Sequence, residues 1–178
     1  SVSFAPHKFY GLVGSGVLYK KKGIPLYPQL HGGESDSPYR SGTPALAEIR
    51  ALETALELAL AEEAARYDLV AAHNAYLRAA LKGESKVTVN SPATAVPHIL
   101  NLSIAGLRGA AVQAALARSD ICISVKSACS TDALPSRAVF AVSRSRKNAL
   151  ASFRLSLSHL TTREELDALL GALAPLLH

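Results

Sequence analysis

The apolar residues of this chain change period several times, and that alternation limits the fold more than any other feature. Val87-Thr88-Val89 and Ile99 to Ile104 are runs of strand length, and Ile121-Cys122-Ile123-Ser124 predicts another. Ala151 to Ser158 predicts a further strand, with Phe153, Leu155 and Leu157 on one face and Arg154 and Ser156 on the other. Short strands are also expected at Ser1 to Phe4 and Gly14 to Tyr19. Helical spacing lies between them. Thr43 and Pro44 suit the N-cap and first turn of a helix whose apolar stripe is Ile49, Leu52, Leu56 and Leu60. That pattern runs, with a bend, to about Leu81. Arg108 to Arg118 predicts a compact Ala-rich helix. A capping box at Thr161-Thr162-Arg163-Glu164 opens a last helix with Leu166, Leu169, Leu170 and Leu173 inward. Mixed throughout and without repeats, the elements predict an α/β or α+β fold. Residues 28–43, rich in Gly, Ser and Pro, read as a long loop of the kind that carries function.

The length, 178 residues, suits a domain of ordinary size, and 49% apolar with 19% charged residues is globular rather than disordered. The sequence shows no bilayer-length apolar run and no secretory signal, so no membrane role is expected. A start at Ser1 and no Met anywhere suggest a piece cut from a longer protein or processed. The net charge of +5 favours anionic ligands in general. No nucleic-acid motif accompanies it, and Lys20-Lys21-Lys22 reads as a solvated turn, so no nucleic acid is expected. Two cysteines are too few for a disulfide scaffold, and their C-x6-C spacing is not a zinc pattern. No metal and a reduced, cytoplasmic setting are the expectation.

Three residues stand out for chemistry. Lys8 follows Pro6-His7 at an expected strand end near Gly14-Ser15-Gly16, where an amine could hold a carbonyl cofactor as a Schiff base; a surface lysine before a turn is the plainer alternative. Cys129 lies among small polar residues beside Lys126, and exposure near a cation favours thiolate reactivity. Cys122, inside an apolar segment, reads as a small core residue. Arg154 is a lone charge on an otherwise apolar strand. It is either a bidentate carboxylate clamp or part of a solvent-facing strand surface.

Several blocks then occur in a telling order: His7-Lys8-Phe9-Tyr10-Gly11, Gly14 to Tyr19, His31-Gly32-Gly33, Arg40-Ser41-Gly42-Thr43, Ser127-Ala128-Cys129 and Ser152 to Leu157. In that order and spacing, along the whole chain, the sequence resembles the cysteine desulfurases. These belong to the class V aminotransferase-like group of fold-type I pyridoxal-phosphate (PLP) enzymes. The resemblance implies a C-terminal half. Residues 1–63 would be the end of the PLP-binding large domain and 64–178 an α+β small domain with the cysteine loop. It implies Lys8 as the cofactor lysine, His7 as a phosphate holder and Thr43 as a reach to the phosphate of the neighbouring subunit's PLP in a homodimer. It implies Cys129 as the sulfur acceptor and Arg154 as the binder of the substrate carboxylate. The implied reaction converts L-cysteine to L-alanine, leaving a persulfide on Cys129 for a sulfur-acceptor protein in iron–sulfur cluster assembly or tRNA thiolation.

The sequence departs from the family at Ala5, where a phosphate-binding Ser is frequent, leaving Ser3 or Ser1 as replacements. It departs again at Glu34 to Tyr39. The N-terminal half, which in the family supplies much of the cofactor site, is missing, so the isolated piece is expected to be inactive. Alternatives are another class V enzyme, such as a selenocysteine lyase or an aminotransferase, and a non-catalytic scaffold or dimerisation fragment.

Overall fold

Residues 1–33, 37–125 and 135–178 are described by a computed structural model, in two units, Ser1–Glu63 and Ala64–His178. In the first unit, β1 (Val2–Phe4) pairs antiparallel with β2 (Val17–Tyr19), Val2 opposite Tyr19 and Phe4 opposite Val17. Between them Pro6–Lys8 form one 3₁₀ turn, so Lys8 ends a turn rather than a strand. Proline's fixed φ and missing N–H suit the first position of such a turn.

Helix α1 (Leu46–Ala61) starts later than the sequence predicts, with Ala45 rather than Thr43 at its N-cap. An N-cap carbonyl accepts the first helical hydrogen bond. The Thr43 carbonyl instead accepts from Arg40 Nη1 at 3.4 Å. The inward face is shifted too. Leu52 and Leu56 are half-buried with Ala51, Ala55 and Ala59, whereas Ile49 and Leu60 are 48% and 65% exposed. Pro6 alone is buried among the described residues of this unit, and large apolar side chains such as Val13, Tyr27 and Leu46 stay exposed.

The second unit holds the core. Helix α2 (Glu63–Ala80) follows a break at Glu62, where the sequence predicts a bend. Then come β3 (Val87–Val89), β4 (Ile99–Ile104), α3 (Gly109–Ala117), α4 (Arg137–Ser143), α5 (Arg146–Ala151), β5 (Ser152–Ser156) and α6 (Arg163–Leu173). The strands form one antiparallel sheet in the order β3-β4-β5, with Leu102 opposite Phe153 and Asn101 opposite Arg154. Period-two alternation separates its faces. Leu100, Leu102, Ile104, Phe153 and Leu155 are buried with Val70 and Leu77 of α2, Val112 and Leu116 of α3, and Leu166, Leu169 and Leu173 of α6. Complete burial of a side chain such as Phe153 contributes roughly 1.5–3 kcal/mol. The opposite face carries Asn101, Ser103, Ser152 and Arg154.

The fold is α/β in class, as the alternation predicts. The last helix has its capping box at Thr162 and Glu165, one residue later than the sequence reading, and Leu170 is only half-buried. Residues 121–124 are not a strand. Ser124 alone makes an antiparallel bridge, to Arg154. Cys122 is therefore exposed rather than a core residue, and among the described residues no strand pairs with it. Helices α4 and α5 escape the sequence reading because they are short. Each is started by a serine side chain, Ser136 accepting from Val139 N and Ser145 from Asn148 N. Among the described residues no helix is long and apolar enough to cross a membrane.

Candidate functional site

Arg154 sits mid-strand in β5, so its side chain leaves a rigid ladder on the polar face. Its backbone N–H and C=O both point to the outer edge, and Asn101 lies opposite as a non-hydrogen-bonded partner. It faces Asn101 across β4–β5, and at the outer edge it exchanges two hydrogen bonds with Ser124, Arg154 N to Ser124 O at 2.6 Å and Ser124 N to Arg154 O at 3.1 Å. The guanidinium donates from Nη2 to Ser124 Oγ at 3.2 Å. Its Nε is buried and, among the described residues, has no partner. A buried N–H without an acceptor costs about 1–3 kcal/mol, so this group has capacity for one further acceptor.

A cleft of about 400 Å³ opens beside this group, lined by Arg154, Asn101, Ser91, Pro92, Val125 and Val139 among others. Its walls are fixed by polar contacts. Buried Asn74 of α2 donates to Pro97 O at 2.8 Å, and Arg78 donates from Nη2 to Ser91 O at 2.9 Å, so α2 holds the β3–β4 loop. Asn90 Nδ2 donates to Asn101 Oδ1 at 2.9 Å and Ser103 Oγ at 2.7 Å, and Asn90 Oδ1 accepts from Asn148 Nδ2 at 2.7 Å. This amide network ties α5 to the sheet beside Arg154. Gly109 at the start of α3 permits a close approach: a Cβ there would lie 2.2 Å from Ser152 O. A rigid cleft with one incompletely satisfied guanidinium is suited to a carboxylate, the geometry an arginine fork matches.

In the first unit, Lys8 and His7 are exposed on the 3₁₀ turn. The turn is stiff: Lys8 N bonds Ala5 O at 3.0 Å, and both Phe9 N and Gly11 N bond Pro6 O at 2.9 Å. A Cβ on Gly11 would stand 2.6 Å from the Pro6 Cβ, so no larger residue fits there. Tyr10 next to it has φ 71°, a left-handed conformation unusual for a tyrosine. An accessible amine on an over-determined turn fits the lysine side of a PLP site. The burial that Schiff-base chemistry asks for is not supplied by the described residues around it. Thr43 is exposed, and Gly42 before it has φ +109°, which glycine alone adopts without strain. Thus Lys8, His7 and Thr43 belong to the first unit and Arg154 to the second. Cys129 lies outside the described residues, as do Glu34 to Asp36 of the divergent loop. Among the described residues no cluster of His, Cys, Asp or Glu could hold a metal. Sequence reasoning missed Ser124, Asn90 and Asn101. An amide at 90 and at 101 flanking two strands was a signal for a polar sheet face. The Ser124 pairing, set by tertiary contact, left none.

The family model for "Aminotransferase class-V" matches residues 1–169. The chain belongs to that family. Within it, the chain is 36% identical over 174 residues to a NifS/IcsS protein homolog of Lactobacillus delbrueckii, covering 96% of this chain and 45% of that protein. It is 33% identical over 175 residues to a cysteine desulfurase IscS of Dictyoglomus turgidum, covering 97% of this chain and 44% of the relative. A solved structure of a NifS-like protein superposes with a TM-score of 0.86 at 28% identity, over 98% of this chain and 45% of the other. The chain thus spans under half the length of these class-V relatives.

Proposed function

We propose that the chain is the C-terminal portion of a PLP-dependent cysteine desulfurase, with residues 1–63 ending its large domain and 64–178 forming its small domain. The observation that carries this reading is the half-buried Arg154, whose Nε has no partner among the described residues, beside a cleft in a class-V chain whose relatives bear the name cysteine desulfurase. The apolar side chains left exposed in the first unit support it too, because a missing half of a large domain would cover them.

Lys8 would hold the cofactor and, once released by substrate, move a proton at its Nζ. His7 would contact the cofactor phosphate, and Thr43 the phosphate bound by the second subunit of a homodimer. PLP, when bound, supplies an electron sink for the substrate's α-carbon. Arg154 would fix the carboxylate of L-cysteine and so orient the amine and the thiol. Cys129 would take the sulfur: a bond forms between its Sγ and the substrate sulfur as the substrate C–S bond breaks, the bonding pair staying with the β-carbon, which takes up the proton lost by the Cys129 thiol. Enzyme persulfide and L-alanine result, and an acceptor protein then removes the sulfur. A reduced compartment suits a thiol that must stay free between turnovers.

The test uses the whole protein, upstream half included, with PLP and L-cysteine. The visible cofactor band is expected to vanish in Lys8→Ala. Sulfide release is expected to vanish in Cys129→Ser, with the band kept. A band that survives Lys8→Ala, or sulfide release undiminished in Cys129→Ser, refutes the assignment.

A further inference from the structure

We infer that Ser124 is a positioning residue for the carboxylate clamp, setting the Arg154 guanidinium by a neutral hydrogen bond. The inference rests on the proposed reading of Arg154 as the carboxylate binder. Three bonds join the two residues: the backbone pair at 2.6 and 3.1 Å, and Nη2 to Ser124 Oγ at 3.2 Å. The serine itself has little freedom. Gln113 Nε2 of α3 holds Ile123 O at 2.8 Å, and Ile121 N bonds Leu116 O at 3.1 Å. The backbone of β5 and Val125 press against the α3 start, where a Cβ on Gly109 would lie 3.0 Å from Val125 Cγ1. The backbone that carries Ser124 Oγ is therefore held in place beside the guanidinium.

The choice of acceptor decides what the guanidinium can still do. A planar fork offers five N–H groups in one plane, so an acceptor on Nη2 orients the rest. Nε stays buried and unpartnered among the described residues. A hydroxyl orients the fork without cancelling its charge. A carboxylate at position 124 would pair with it and compete with an incoming carboxylate. That distinction separates positioning from mere packing and makes the role testable.

The whole protein with its cofactor is assayed for KM and kcat with L-cysteine, and for inhibition by L-alanine and by ethylamine, which lacks the carboxylate. Ser124→Ala is expected to raise KM and the L-alanine inhibition constant about tenfold, the scale of one hydrogen bond to a charged group. kcat and the ethylamine constant are expected to stay within about twofold on the same reasoning. Ser124→Thr restores the parent values, and Ser124→Asp is worse than Ser124→Ala. If Ser124→Ala does not fold, Ser124→Cys, of similar shape but a weak acceptor, serves the same comparison. Equal rises for L-alanine and ethylamine, or no rise at all, overturn the inference. Arg154→Ala separates the two levels. If it leaves KM and the L-alanine constant unchanged, the carboxylate reading itself fails; if it raises them while Ser124→Ala does not, only the role of Ser124 falls.

Discussion

Gly109→Ala should destabilise the second unit by about 3 kcal/mol, although the substitution adds a single methyl group at the first residue of a helix. The added Cβ would meet Ser152 O at 2.2 Å, Val125 Cγ1 at 3.0 Å and Ser152 C at 3.1 Å. Carbon–oxygen contacts are ordinarily about 3.3 Å or longer, so α3 and β5 would have to part by about 1 Å. Neither can do so cheaply. Ser152 is buried, its Oγ donates to Ala149 O at 3.0 Å, and the next residue is the wholly buried Phe153. Moving α3 instead would withdraw Val112 and Leu116 from the core. Overpacking typically costs about 1–3 kcal/mol, and a collision with backbone belongs at the upper end. Gly171 in α6 provides the matched control, since a Cβ there meets nothing within 4 Å. Gly171→Ala should stabilise by about 0.5–1 kcal/mol through helix propensity. Equilibrium urea unfolding of the chain, followed by far-UV circular dichroism, reads both. With a slope of about 1–3 kcal/mol per molar, the Gly109→Ala midpoint should fall by about 1–3 M and the Gly171→Ala midpoint should rise. A Gly109→Ala midpoint within about 0.3 M of the parent would refute the close-approach argument.

Two further outcomes are expected in the same assay. Thr162→Ala removes the side chain that accepts from Glu165 N and should cost about 1 kcal/mol, with Thr162→Ser near neutral; a cost shared by both variants would place the effect outside the cap. Asn90→Ala should cost about 1–3 kcal/mol by stranding Asn148 Nδ2 and Asn101 Oδ1, and Asn90→Asp should cost a similar amount, because it turns the donation to Asn101 Oδ1 into a contact between two acceptor oxygens. An aspartate variant as stable as the parent would show that the amide orientation is not what holds α5 to the sheet.

The fold was legible where pattern and burial agree. Strands β3 and β4 lie where the apolar runs put them; in β4 every second side chain, Leu100, Leu102 and Ile104, meets the core, and β3 pairs along it with Val87 packed against that core. The α6 cap was legible to within a residue, since a Thr followed by Glu three places on satisfies two backbone groups locally. Ile121 to Ser124 misled because a short run with three apolar residues fits a strand but does not choose its partner. One bridge to Arg154 satisfies Ser124, and Cys122 is left in the open. The stripe on α1 misled differently. Its large residues, Ile49 and Leu60, do not share the inward face of Leu52 and Leu56, which alanines complete instead. Of the candidate site, Arg154 was legible as a charge out of place on a strand. What surrounds it was not, because Ser124 and Asn101 reach it only through strand pairing across 30 and 53 residues, the separations of positions 154−124 and 154−101.

The two faces of one sheet explain why the charge can stand there at all. On one side of β5, Phe153 and Leu155 join a continuous apolar core, which fixes the strand and hence the direction in which Arg154 leaves it. On the other side, Asn101 and Ser103 are held by Asn90 and Asn148, so among the described residues this face of the sheet carries amides and hydroxyls with partners of their own. Such groups solvate a cation partly without neutralising it, whereas a carboxylate among them would pair with it and close the site. Mobility would be equally damaging, since a fork free to turn spends binding free energy on ordering itself. The apolar face therefore supplies rigidity and the polar face supplies tolerance for an incompletely paired charge. On the proposed reading of Arg154 as a carboxylate binder, both are needed for an arginine on a strand to receive an anion rather than disrupt the sheet.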